Sequence, residues 1–251
     1  MKGTALVTGA GKRIGRAIAL ALAEDGFDVA VHYGNSRAEA EEVVAAIVAR
    51  GRRAVALAAD LTREETTLAL LPAAIKALGP ITCLVNNASL FERDEALSVT
   101  RESWDAHLDI NLRAPFVLMQ EFARNLPAHL HGVIVNILDE RVWSLTPHFI
   151  SYTVSKAGLW TLTQMMAMAL APRIRVNAVG PGPTLPSPRQ SAEQFARQSA
   201  SVPLQRGATP EEIAAAVRFI LGAGAMTGQM IALDGGQHLA WQTPDVTGIA
   251  E

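Results

Sequence analysis

The chain has 251 residues, of which 49% are apolar and 18% charged, enough hydrophobic side chain for a sizeable packed core. A formal net charge of −2 gives no electrostatic case for binding nucleic acid or a membrane surface. No stretch approaches the roughly 20 apolar residues that a membrane-spanning helix needs.

The first strand-like run is Thr4–Thr8, and "VTGAGKRIGRAIA" follows it into a helix. Gly9 and Gly11 permit a tight turn and close approach to a pyrophosphate. Gly15 lets the helix pack near the strand, and the helix N-terminus faces the anion. Glycine spacing is weak evidence alone, but its place in an alternating chain points to a dinucleotide. The second strand, Asp28–Tyr33, is followed by no acid before Glu39. A site for NAD normally places an acid there to hold the ribose hydroxyls. Instead Arg13, His32, Asn35, Ser36 and Arg37 offer a cation and a hydroxyl suited to the 2′-phosphate of NADP(H). The competing reading leaves Arg37 solvated; Ser36 is in any case expected to cap the next helix.

Further strand-like runs are Arg53–Ala59, Ile81–Asn87, Gly132–Leu138, Arg173–Val179 and Gly228–Asp234. Their near-continuous apolar character fits strands buried on both faces. Amphipathic helices lie between them, the first two ending at Gly26 and Gly51, where a C-terminal glycine is expected. The alternation predicts a single α/β domain over residues 1–251. It would be a doubly wound, seven-stranded, mostly parallel sheet with helices on both faces. The irregular stretch Gly180–Gly207 follows a strand's carboxyl end and is expected to form a partly helical substrate lid. The lone cysteine, Cys83, lies in an apolar run and reads as a packed thiol. The N-terminus is too quickly broken by glycines for a signal peptide, so a cytoplasmic location is expected. No metal is expected.

"LDERVWSLTPHFISYTVSK" carries the chemistry. Tyr152 and Lys156 lie one helical turn apart and project toward the same site. A free tyrosine, with a pKa of about 10, serves poorly as acid or base near neutrality. A nearby lysine cation would lower that value; a shift of about 3 units corresponds to roughly 4 kcal/mol. Asp139 stands where the preceding strand ends, thirteen residues before the tyrosine.

Thr8-Gly9 through Gly15, Asn86-Asn87-Ala88, Asn111, Tyr152-x-x-x-Lys156 and "RVNAVGPG" together resemble the short-chain dehydrogenase/reductases, and the likeness runs nearly the whole chain. The resemblance implies a Rossmann-type domain, usually assembled as a homotetramer. Helices Leu112–Leu130 and Tyr152–Ala171 are the candidate contacts. It implies that Ile14 and Gly15 lie on the cofactor, Asp60 and Leu61 near the adenine, and Asn86, Asn87 and Ala88 beside the cofactor. Pro181, Gly182 and Thr184 would lie on the nicotinamide side. Lys156 would contact the nicotinamide ribose, and Asn111 would hold a proton-relay water.

Two departures narrow the resemblance. Arg13 replaces the usual glycine of the turn, and Asp139 replaces the usual serine. Both are similar to pteridine reductases and the related bacterial dihydromonapterin and dihydrofolate reductases, as are "HY…S" and "NNASLF". That subfamily implies that Phe91 stacks on the pterin and Ser89 hydrogen-bonds to it. Burial would favour a neutral Asp139 and Lys156 an ionised one, so its role stays divided between proton delivery and pterin binding. Asn35 stands where the subfamily often has arginine, and the lid sequence differs from that of the eukaryotic pteridine reductases. Trp241, near His238, is expected at a subunit interface. The expected activity is NADPH-dependent reduction of a pterin C=N bond. The alternatives are a carbonyl reductase acting on 3-oxoacyl or sugar ketones, and a non-catalytic NADP-binding protein.

Overall fold

The computed structural model describes residues 3–240; the expectation for Trp241 falls outside them. Seven strands form one sheet: β1 Gly3–Val7, β2 Phe27–Tyr33, β3 Ala54–Ala58, β4 Cys83–Asn86, β5 Gly132–Ile137, β6 Ile174–Pro181 and β7 Met230–Leu233. Their order is β3-β2-β1-β4-β5-β6-β7, and every pairing is parallel. The connecting helices are α1 Arg13–Glu24, α2 Arg37–Val48, α3 Glu64–Leu78, α4 Arg101–Leu108, α5 Ala114–Asn125, α6 Ile150–Leu170, α7 Ala192–Ala200 and α8 Pro210–Gly222.

Side chains alternate across each strand, so neighbours feed two cores. Leu6, Leu84 and Ile134 pack with Leu71, Leu118 and Leu159 from α3, α5 and α6. Val7, Val85 and Val135 pack with Ile18, Val43 and Val217 from α1, α2 and α8. Fully burying a single valine or leucine stabilises by about 1.5–3 kcal/mol, which is why these strands carry so few polar residues.

Chain order reverses between β1 and β4, opening a crevice at the strands' carboxyl ends, where ligands bind in such sheets. β6 runs two residues beyond its expected end, to Pro181. The expected helix Leu112–Leu130 is shorter. A π-helical turn, Asp109–Arg113, precedes α5, which stops at Asn125 before Pro127 disfavours further helix. α6 buries Leu159, Met166 and Ala167 but leaves Val154, Met165 and Met168 exposed. Among the described residues, no helix is long and apolar enough to cross a membrane.

Candidate active site

The crevice is a cleft of about 1300 Å³ running from Asn35 and Asp60 at one end to Phe91, Asp139 and Tyr152 at the other. Its first wall is the glycine turn. Gly9 has a φ of 61°, which suits glycine, and a Cβ on Gly15 would come within 2.3 Å of the Gly9 carbonyl oxygen. Asn87 Nδ2 donates to the carbonyls of Thr8 (2.8 Å) and Gly9 (3.2 Å). Thr8 Oγ1 in turn accepts from the amides of Asn87 and Ala88, each at 2.9 Å. These bonds clamp the ends of β1 and β4 together beside the crevice.

His32 belongs to this clamp. The Gly9 amide donates to its Nδ1 at 3.0 Å, so the ring proton sits on Nε2, which donates to the Ala59 carbonyl at 3.1 Å. Burial pushes its pKa down to about 4. The ring lines the cleft, neutral and with both nitrogens hydrogen-bonded within the protein.

The other expected phosphate ligands divide. Asn35 and Arg13 line the cleft. Arg13 has a φ of 54°, the left-handed conformation that makes glycine the usual occupant of this position. Its guanidinium donates to the carbonyls of Pro186 (2.9 Å) and Leu185 (3.2 Å). Arg37 is exposed and pairs with Glu41 one turn along α2 at 2.8 Å, outside the cleft lining. Ser36 occupies the cap position of α2 without a side-chain cap bond, against expectation; its Oγ lies 3.0 Å from where a Cβ on Gly11 would be. Lys12, not singled out from the sequence, also lines the cleft and pairs with Glu39 at 2.5 Å. Its place inside the glycine turn was the available signal.

Ile14, Gly15, Asp60, Leu61, Asn87 and Ala88 line the same cleft. Asp60 accepts from the Thr62 hydroxyl (2.7 Å) and amide (3.0 Å), which lower its pKa. Pro181, Gly182 and Thr184 line the far wall. Asn86 faces the opposite way: its amide donates to Asn136 Oδ1 at 2.8 Å, inside the core. One step along a strand turns a side chain to the other face, so Asn86 is not beside the cofactor space.

At the chemical end, Asp139 follows β5. Its Oδ2 accepts from Tyr152 Oη at 2.7 Å, and its Oδ1 accepts from the Arg141 amide at 3.0 Å. Arg141 Nη1 lies 3.3 Å from both carboxylate oxygens. Lys156 donates to the Ile137 carbonyl at 2.8 Å, and its Nζ stands 5.8 Å from the centre of the Tyr152 ring. Burial lowers the Lys156 pKa to about 8, partly offset by Asp139. Burial first, then the charge and hydrogen bond of Asp139, push Tyr152 well above its ordinary value. The expectation that Lys156 lowers Tyr152 is corrected for this state, because the phenol faces a carboxylate and the ammonium faces a backbone carbonyl.

Asn111 is fully buried in the π turn. It accepts from the Leu90 amide (2.8 Å) and donates to the Leu90 carbonyl (2.9 Å) and to Ser155 Oγ (3.0 Å). With these partners it anchors the Ser89–Phe91 loop, and it is not among the residues that line the cleft.

Ser89 and Phe91 do line the cleft. The Phe91 ring meets Tyr152 edge-on, centroids 4.7 Å apart, and is stacked on Phe149 at 4.6 Å and 10°. Phe149 was missed from the sequence, although an aromatic three residues before the tyrosine was a signal. Arg189 was also missed: it donates to the Phe91 carbonyl at 2.6 Å and pairs with Glu92, tying the segment before α7 to the Phe91 loop. Asp94 accepts from the Ser151 amide at 3.2 Å and from its hydroxyl, which fixes the start of α6.

Comparison with known proteins agrees with this geometry. A family model described as enoyl-(acyl carrier protein) reductase matches residues 9–238. An uncharacterized oxidoreductase of Methylorubrum extorquens is 36% identical, over 92% of this chain and 96% of its own length. A 3-oxoacyl-[acyl-carrier-protein] reductase of Synechocystis is 35% identical, over 92% and 95%. Among solved structures, FolM, alternative dihydrofolate reductase 1 from Brucella canis, complexed with NADP, superposes with a TM-score of 0.94 and is 47% identical. The match covers 98% of this chain and 97% of that one. From the glycine turn to the Tyr-x-x-x-Lys helix, the chain belongs to the short-chain dehydrogenase/reductase superfamily.

Proposed function

We propose that this protein is an NADPH-dependent reductase of a pterin-type C=N bond, converting a dihydropterin or dihydrofolate to its tetrahydro form. The observation that carries the reading is the 2.7 Å hydrogen bond from Tyr152 to Asp139, in a cleft also walled by Phe91. The 47% identity to the dihydrofolate reductase of Brucella canis supports it.

The residues present fit NADP(H). A side chain on Gly15 would collide with the turn, so the cradle accepts only bare backbone facing a pyrophosphate. Arg13, Lys12 and Asn35 line the cleft and would supply the polar groups for the 2′-phosphate. The bound cofactor supplies the hydride. Phe91 offers a face on which a flat heteroaromatic ring can stack, and Ser89 a hydroxyl for its edge. Tyr152 and Asp139 bring a proton to the ring nitrogen that receives the C=N electron pair. Lys156, held by Ile137 at 2.8 Å, keeps a cation beneath the site.

The alternative, reduction of a 3-oxoacyl thioester, has the 35% identical Synechocystis enzyme in its favour. That chemistry places negative charge on a carbonyl oxygen, and a carboxylate at position 139 would oppose it. An imine nitrogen is more basic than a carbonyl oxygen and can take its proton as the hydride arrives, and a carboxylate favours the positive charge this brings.

Gly180–Gly207 acts in this reading as a lid, held by Arg13 and Arg189, in a single-domain chain. The exposed Val154, Met165 and Met168 on α6 support assembly into a homotetramer. The buried thiol of Cys83 is pushed up to about 12 by burial and is inert where it packs.

The test is NADPH oxidation with dihydrobiopterin, dihydromonapterin, dihydrofolate and a 3-oxoacyl thioester, for wild type and Asp139→Ser. The expected result is pterin turnover that falls by about 10²-fold or more in the variant. Activity confined to the thioester, or improved by serine, would overturn the proposal.

A further inference from the structure

Glu140 has no assigned task, yet it lines the cleft next to Asp139 and is only 2% exposed. Its Oε2 is buried without a hydrogen-bond partner. A buried, unpartnered carboxylate oxygen is costly, and most such oxygens are either paired or protonated. On its own turn Glu140 faces Asp139 and Arg141. From beyond β7 it faces Asp234, and from α6 its charge reaches Tyr152. The other cations of the site are engaged elsewhere: His238 pairs with Asp234 at 2.5 Å, and Lys156 donates to the Ile137 carbonyl at 2.8 Å. Arg141 divides its contact between the two oxygens of Asp139 at 3.3 Å, and its Nε is left without a partner. Glu140 is thus buried under the influence of two other carboxylates, while the arginine beside it is turned to Asp139.

We propose that Glu140 is the proton store of the site: a second acid beside Asp139, buried with an unpartnered oxygen, that retains its proton and passes it through Asp139 or Tyr152 to the substrate's ring nitrogen. A buried carboxyl group without a partner for its charge favours its protonated form. Burial and the charges of Asp139 and Asp234 push Glu140 up to about 7, opposed by Arg141, so about half of the molecules hold the proton at neutrality. The step balances. Hydride adds to the ring carbon of C=N, and the π pair moves to nitrogen, which takes a proton from Tyr152 or Asp139. That group is recharged from Glu140, and Glu140 is reprotonated from water between turnovers. Glu140 acts through Asp139 and does not touch the substrate. The inference rests on the proposed C=N reduction only in naming nitrogen as the proton acceptor.

The experiment is the pH profile of kcat between pH 5 and 9, at saturating NADPH, for wild type, Glu140→Gln and Glu140→Asp. The substrate is whichever of the dihydropterins or thioesters above the wild type turns over. Wild-type kcat is expected to fall as pH rises through about 7. Glu140→Gln is expected to lose that limb and at least about tenfold in kcat at pH 7, with NADPH affinity by fluorescence unchanged. Glu140→Asp is expected to keep a limb with a displaced midpoint, and it carries the test alone should the glutamine variant not fold. A glutamine variant with the wild-type profile, or with one uniform loss at every pH, overturns the inference, as does an aspartate variant with an unmoved midpoint. Failure of the pterin reading shows separately, as wild-type enzyme that turns over only the thioester.

Discussion

Lowering the pH forces a proton onto His32, where both ring nitrogens are already committed. Nδ1 accepts from the Gly9 amide at 3.0 Å, and Nε2 donates to the Ala59 carbonyl at 3.1 Å. A second ring proton would set a donor against the Gly9 donor and place a charge in a site that is 2% exposed. Burial accordingly holds the group at about 4, against an ordinary value of 6.5. For a base whose folded value is depressed, the unfolded chain binds the proton first. Stability is thus fully present above pH 6.5 and is lost as the pH falls from 6.5 toward about 4. The gap of about 2.5 units, at about 1.4 kcal/mol per unit, gives about 3 kcal/mol. This is a sizeable share of the 5–15 kcal/mol typical of a domain.

Urea unfolding of wild type and His32→Asn at pH 7.5, 6, 5 and 4 isolates the effect from the carboxylates that titrate in both proteins. Asparagine keeps an acceptor and a donor near the turn but does not ionise. Wild type should be the more stable protein at pH 7.5. Its advantage should shrink by about 3 kcal/mol on reaching pH 4. A difference that stays flat across the series would refute the neutral, doubly committed imidazole. NADPH affinity of wild type should weaken only as the pH reaches about 4, where folded His32 takes up its proton and loses its hold on the Gly9 amide of the cradle.

Two further substitutions probe the turn itself. Arg13→Gly removes a left-handed arginine, a conformation that costs about 1–2 kcal/mol, and with it two exposed bonds to the lid carbonyls. Thermal unfolding should move up by a few degrees while NADPH binding by fluorescence titration weakens; a lower melting temperature would contradict the strain argument. Gly15→Ala places a Cβ 2.3 Å from the Gly9 carbonyl and 2.5 Å from Asn87 Nδ2. It should cost about 1–3 kcal/mol and lower NADPH affinity, and an unchanged urea midpoint would count against the close approach.

What the sequence disclosed follows from which forces act locally. The strands were legible because burial on both faces demands unbroken apolar runs, and Val29–Val31 or Val133–Val135 have no other reading. The meeting of Asp139 with Tyr152 was also legible, since a strand end and the next helix's first turn are near neighbours in any such sheet. Polar residues inside motifs were harder. Asn86 and Asn87 look interchangeable in sequence, but strand alternation sends one to the core and the other to the glycine turn. Lys156 finds a backbone carbonyl and Asn111 the Leu90 peptide, partners that exist only once separate elements have packed. Phe149, Arg141 and Arg189 lie on irregular segments, where no periodicity announces which way a side chain will face.

The titratable groups of the site also share a direction. Tyr152 is pushed up, Glu140 rises to about 7 and Lys156 falls to about 8. Every one of these shifts favours the uncharged form, and burial is the largest cause of each. A site arranged this way stocks protons on oxygen and resists forming a phenolate. Oxidation of an alcohol begins with a base taking a proton, which Tyr152 is poorly placed to do while it donates to Asp139. Reduction begins with hydride arriving and ends with a proton given up, and here the proton is already in place. The aspartate that replaces serine therefore does more than alter substrate contacts. Asp139 accepts from the phenol, and its charge is among the causes that raise Tyr152 and Glu140, so both hold their protons to a higher pH.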